Sequence, residues 1–115
     1  MNQLNSIILE GNLVEDCVLS EPVAGFLVGK MQIAVERFNK NAEGEKVKDV
    51  SYFDIECYGN CAENAGRIGL KGRGIRVVGR LKQERWTDSE QKVYSRVYVV
   101  AEHIDYKLGK EEKSA

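Results

Sequence analysis

Over most of this chain apolar and polar residues alternate with a period of two, and that alternation predicts strands. The first run is Ile7-Ile8-Leu9-Glu10-Gly11-Asn12-Leu13-Val14, with Gly11 inside it as a bulge or bend. From Val28 to Phe38, the apolar Met31, Ile33 and Val35 alternate with Gln32, Ala34 and Glu36. A polar loop over 39–46 follows, and Val47 to Tyr58 reads as a third strand, so the pair forms a long hairpin with a protruding tip. Residues Asn60 to Leu70 break the pattern. Cys61-Ala62-Glu63-Asn64-Ala65 has no β-branched residue and predicts a short helix, ended by Gly69 and Gly72. Two more strands, Ile75 to Arg85 and Val93 to Ile104, flank the turn Thr87-Asp88-Ser89-Glu90-Gln91.

Three strands, a short helix and two further strands is the order of an OB-fold. That all-β architecture is a five-stranded Greek-key barrel, with its helix here between strands 3 and 4, and it binds oligonucleotides and oligosaccharides. One Pro and eleven Gly suit strands and turns. A length of 115 residues bounds the chain to one domain, expected over 1–106, with 107–115 a short polar tail expected to be disordered. Hydrophobic residues at 43% and charged residues at 30% are ordinary for a soluble domain. No apolar run approaches the roughly 18 residues that span a bilayer. Met1-Asn2-Gln3-Leu4 has neither a basic segment nor a long apolar one, so a signal peptide is not expected. The expected location is cytoplasmic, with no membrane partner.

The residues that carry chemistry are few. Cys17, Cys57 and Cys61 are an odd count, and His103 is the only histidine. Structural zinc takes four N or S ligands, so this set is a poor candidate, and thiols in a reducing compartment account for it better. There is no G-x-S-x-G and no Gly-rich phosphate loop. The expectation is a binder without catalysis, cofactor or metal.

A net charge of −1 argues against an indiscriminate polyanion binder, but its distribution is uneven. Residues 1–29 carry Glu10, Glu15, Asp16 and Glu21 and no base. Residues 71–96 carry Lys71, Arg73, Arg76, Arg80, Lys82, Arg85, Lys92 and Arg96 against Glu84, Asp88 and Glu90. A basic stripe on a near-neutral body can focus a polyanion; the competing reading is a solvated strand face. Trp86, the only Trp, stands among these bases beside a polar turn. There it can offer a stacking platform to single-stranded nucleic acid, whose phosphates attract cations and whose bases attract π-faces. The alternative is an indole folded back onto the strand.

Several segments together resemble the bacterial single-stranded DNA-binding protein family. They are Ile7 to Leu13, Ala34-Val35-Glu36-Arg37-Phe38, Tyr52 to Gly59, Lys71 to Leu81, and Trp86-Thr87-Asp88. The match covers roughly residues 3–104 and rests on the series in this order. It implies stacking aromatics at Phe38, Tyr52, Tyr58 and Trp86. The alternation supports the middle two: Tyr52, Asp54, Glu56 and Tyr58 share one strand face while Phe53, Ile55 and Cys57 share the other, apolar one. Core tyrosines with satisfied hydroxyls are the alternative. In the last strand Tyr94 and Arg96 can extend the path, and Tyr98 is expected to pack. Arg76, Arg80, Lys82, Arg85 and Arg96 are the candidate phosphate contacts. The first three alternate with Ile75, Val77 and Leu81, apart from a slip at Gly79 that suits a bulge. Asp54 and Glu56 depart from this picture, since they repel phosphate unless paired with bases of neighbouring strands or subunits.

The resemblance further implies a homotetramer with DNA wrapped around it, Phe53 near a subunit interface, and roles in DNA replication, repair and recombination. The family usually adds a long Gly/Pro/Gln-rich linker and an acidic, Phe-ended tip that recruits replication and repair enzymes. This sequence stops at Gly109-Lys110-Glu111-Glu112-Lys113-Ser114-Ala115, so such partners are expected only with a longer tail. Two rivals stand beside it. One is a dimeric primosomal replication-restart OB protein, against which the four stacking positions argue. The other is a β-barrel interaction module that binds no nucleic acid, which oligo-dT binding would separate.

Overall fold

The alternation is realised as strands in the computed structural model, which describes residues 1–108. In chain order the elements are β1 (Ile7–Leu13), β2 (Val18–Val23), β3 (Phe26–Lys40), β4 (Lys46–Tyr58), α1 (Asn60–Ile68), β5 (Gly74–Thr87) and β6 (Val93–Tyr106). The sheet runs β1-β5-β6-β4-β3-β2, and a further β1–β3 pairing closes the five strands β1, β5, β6, β4 and β3 into a barrel. The polar tail expected from 107 onward lies, from residue 109, outside the described residues.

β2 is the element the alternation did not reveal. All six of its residues are exposed, Pro22 sits within it, and it pairs only with β3, so it carries no one-sided apolar pattern to read. It also places the helix between the fourth and fifth strands of the chain rather than the third and fourth. The barrel connectivity is otherwise that of the OB-fold.

Closure depends on close backbone approaches. β1 pairs with β5 from Ile7 to Asn12, and its last residues pair with β3, Asn12 opposite Ala34 and Leu13 opposite Ile33. Gly11 stands at this crossover, where a Cβ would lie 2.5 Å from the Ala34 carbonyl oxygen. The β5–β6 register slips between Val78/His103 and Gly79/Ala101, leaving Glu102 as the extra residue. The slip anticipated at Gly79 is therefore carried by the opposite strand. Gly79 has its own role: a Cβ there would meet the Val100 carbonyl oxygen at 2.1 Å.

The core holds Leu13, Met31, Ile33, Ile55, Cys57, Ile75, Val77, Val99 and Ala101, one residue in two from each barrel strand. Helix α1 plugs one end with the fully buried Ala62 and Ala65. β4 and β6 touch as a parallel pair over only Ile55/Val99 and Glu56/Val100. At that seam the two long hairpins, β3–β4 and β5–β6, meet and project their tips.

Candidate nucleic-acid interface

Because Phe53, Ile55 and Cys57 point into the barrel, Tyr52, Asp54, Glu56 and Tyr58 point out of it, as the alternation required. Their cross-strand neighbours on β3 are Ala34, Gln32, Lys30 and Val28, and Phe38 continues the row opposite Lys48. Across the β4–β6 seam the same outward surface carries Tyr98 and Arg96, then Lys82, Glu84 and Trp86 of β5.

The centre of this surface is interlocked. Glu56, 7% exposed, accepts a hydrogen bond from the Arg96 guanidinium and forms an ion pair with it. Arg96 also stands 4.0 Å from the Glu84 carboxylate and 4.3 Å from the Tyr98 ring centroid. Tyr98, 3% exposed, donates its hydroxyl to Glu84 at 2.9 Å. Burial, reinforced by that bond to a carboxylate, holds the Tyr98 phenol well above its usual range. Tyr58 donates to Glu56 at 3.4 Å and stacks on Phe26, centroids 5.5 Å apart and 21° between planes. Asp54 accepts from the Gln32 amide at 3.2 Å. Both acids thus have partners on neighbouring strands. An open cleft of about 450 Å³ runs over this centre, between Phe26, Lys30, Tyr58, Lys82 and Tyr98.

The tips are open. Phe38 is 56% exposed near the end of the β3–β4 hairpin, with the Lys46 ammonium 4.5 Å from its ring centroid, and Tyr52, midway along β4 opposite Ala34, is 61% exposed. Trp86, 48% exposed, stacks on Tyr94 at 5.8 Å and 17° near the end of the β5–β6 hairpin. Tyr94 is braced by donating to Asp88 at 3.0 Å. Asp88 accepts the backbone N–H groups of Lys92 and Glu90, and these bonds hold its carboxyl below the usual range. Trp86 therefore does not fold back into a core. One face of its indole rests on Tyr94.

The candidate cations divide by occupation. Arg76 forks onto Glu10 at 2.8 and 3.1 Å beside β1, and this bond lowers the Glu10 pKa. Arg80 lies 3.6 Å from Glu102. Arg96 is committed to Glu56. Lys82 and Arg85 make no ion pair among the described residues; by alternation Lys82 shares the face of Trp86 and Arg85 takes the other. Phe26 is the surface residue that the alternation did not single out. The Ala24-Gly25 turn before it, with Gly25 at φ 83°, was the signal for a β2–β3 hairpin that would have placed it.

A closed OB barrel with rings at both hairpin tips and unpaired cations beside them defines a class, the oligonucleotide-type OB proteins. Residues 4–106 match the model of the single-strand binding protein family, and the chain belongs to that family. A single-stranded DNA-binding protein of Aquifex aeolicus is 35% identical over 101 residues, covering 88% of this chain and 68% of the relative. One of Wolinella succinogenes is 35% identical over 100 residues, covering 87% and 62%. The chain thus spans about two thirds of the length of these relatives. Among solved structures, a deletion mutant of the Thermus aquaticus single-stranded DNA-binding protein superposes with a TM-score of 0.82 at 28% identity, covering 95% of this chain and 53% of that one. A Plasmodium falciparum complex with single-stranded DNA gives a TM-score of 0.83 at 19% identity, covering 93% and 97%, and shows the shared fold.

Proposed function

We propose that this chain binds single-stranded DNA without sequence preference and coats it during replication, repair and recombination. The observation that carries this reading is the outward row of rings on one barrel surface, with open faces at both hairpin tips. Phe38, Tyr52, Tyr58 and Trp86 stack on bases, which is sequence-tolerant because every base has a π-face. Lys82, on the ring face, is the leading phosphate contact, and Arg85, on the opposite face of the β5–β6 arm, meets a phosphate where the DNA strand wraps past the arm's edge. Arg76 and Arg80 contribute after exchanging a carboxylate for a phosphate, and Arg96 shapes the floor of the path. The protein works as a homo-oligomer, a tetramer by family analogy, in the bacterial cytoplasm, and performs no catalysis. Titration with oligo-dT tests the reading. Trp86 emission quenches as a base stacks on its open face, and affinity falls linearly with log salt. Unchanged emission together with no retained DNA would leave the interaction module as the better account.

A further inference from the structure

A third hairpin reaches the ring-bearing surface from the side opposite β5–β6. Its strands are β2 and β3, the last two in the sheet order, and Phe26 is the first residue of β3. Phe26 is half exposed, and its ring stacks on Tyr58 much as Trp86 stacks on Tyr94. The cleft of about 450 Å³ lies between the two flanks. Phe26 and Lys30 line it on one side, Lys82 and Glu84 on the other, with Glu56 and Tyr58 of β4 between them. Its volume falls within the roughly 300–1,000 Å³ of pockets that hold small ligands.

We propose that this cleft is a nucleotide subsite beyond the four-ring path, in which a base lies against the Phe26–Tyr58 pair and turns an amino-bearing edge to Glu84. The proposal rests on the DNA-binding reading above. Phe26 becomes a fifth stacking ring. Stacking itself stays tolerant of every base, while Glu84 biases one position of the path toward amino-bearing bases, cytosine among them, and away from thymine.

Charge decides which part of the nucleotide enters. Glu56 and Glu84 both line the cleft, so its interior repels a phosphate. Lys30 and Lys82 form no ion pair among the described residues. Lys30 stands opposite Glu56, and Lys82 shares the strand face of Glu84 two residues away, so both can hold phosphates outside the acids. Glu56 is already engaged, by Arg96 and by the Tyr58 hydroxyl. Glu84 has capacity left. One of its oxygens accepts from Tyr98, the other is 4.0 Å from Arg96 and beyond hydrogen-bond reach, and its side chain is half exposed. A carboxylate has about four lone-pair sites, so Glu84 can also accept from an exocyclic amine such as cytosine N4. Thymine presents its O4 at that place, an acceptor facing a carboxylate.

Filter binding of oligo-dC and oligo-dT of equal length, at one salt concentration, reads the subsite as a ratio of affinities. Glu84→Gln keeps an oxygen for the Tyr98 hydroxyl and replaces the other with an amide donor. Loss of the negative charge tightens both oligomers alike. The dC-to-dT affinity ratio should nevertheless fall about fivefold for each subsite engaged, the low end for reading a base edge. Phe26→Ala should weaken both oligomers about tenfold and leave the Trp86 quench at saturation intact. Retention of neither oligomer by the wild type would remove the DNA-binding reading and the subsite with it. Retention of both, with a ratio that Glu84→Gln leaves in place or with full affinity in Phe26→Ala, overturns the subsite while the wider reading stands. The Glu84→Gln ratio decides even where Phe26→Ala does not fold, because that variant keeps the bond to Tyr98.

Discussion

The centre and the tips of the outward sheet surface are made of the same residue types, aromatics beside charges, yet they behave as different materials. At the centre, Tyr98, Arg96, Glu56 and Glu84 satisfy one another, and little of Tyr98 or Glu56 meets water. At the tips, Phe38 and Trp86 each keep about half of their surface exposed, and the Lys46 and Lys92 ammonium groups stand near the rings of Phe38 and of Tyr94, the ring on which Trp86 stacks. Strand alternation places both sets on one surface, and the supply of partners separates them. Where four strands converge, a ring finds a carboxylate for its hydroxyl and becomes structure. Where a two-stranded arm outruns the core, the ring keeps a face for something else. Substitutions at the centre should therefore move stability, and substitutions at the tips should move affinity.

The sharpest way to break this division is Arg96→Ala. It leaves Glu56 buried without its cation and should cost about 3 kcal/mol in urea unfolding, the low end for such pairs because a third of the arginine side chain is exposed. A variant as stable as the wild type, with weakened DNA binding, would move Arg96 from the scaffold to the ligand. Trp86→Ala should weaken oligo-dT binding by about 1–3 kcal/mol in a fluorescence-independent assay such as filter binding, while the unfolding midpoint stays in place. Loss of both would mean that the Trp86–Tyr94 stack holds the hairpin together.

Tyr98→Phe removes the hydroxyl donated to Glu84 and should lower stability by about 1 kcal/mol with DNA affinity unchanged. Among the cations, Lys82→Gln should shallow the salt slope of binding by about 0.7 for each phosphate it no longer neutralises, and Arg76→Gln by less, because Arg76 already holds Glu10. Equal slopes would mean that carboxylate and phosphate exchange freely at Arg76. The smallest effect concerns pH. The folded pKa of Asp88 lies below its unfolded value, so the bracing of the β5–β6 tip is complete above the unfolded value and is lost as pH falls through the folded one. Exchange of the Lys92 and Glu90 amides should accelerate across that acid range, and Asp88→Asn should remove the dependence. Identical profiles for wild type and variant would assign the acid response to another group.

Strand order and strand faces were legible because barrel strands bury alternate residues, and Ile55 and Cys57 against Asp54 and Glu56 is a pattern that one register alone satisfies. β2 was not legible, since an exposed edge strand has no buried side to record. Occupation was the other hidden quantity. Arg76, Arg80, Lys82 and Arg96 read alike along a basic strand pair, but Glu10, Glu102 and Glu56 reach three of them from other strands. Only pairing brings those carboxylates near, so a one-dimensional charge count overstated the open positive surface. The approach of Cys17 to Cys57 was hidden similarly, because it depends on the bare backbone of Gly29 between them.

Closure by distant strands also sets an order for synthesis. The β3–β4 hairpin can form as soon as residue 58 has left the ribosome, since its thirteen paired positions, Val28/Tyr58 through Lys40/Lys46, are all local. β1 has to wait: its longer pairing is with Gly74 to Gly79, in a strand made much later. β4 gains its second neighbour only when β6 arrives. A nascent chain halted before β6 therefore exposes unpaired edges on both β4 and β5, each a template for the wrong strand. The final strand is the one that seals the barrel, and until its last turn is made the chain has no finished core to hold.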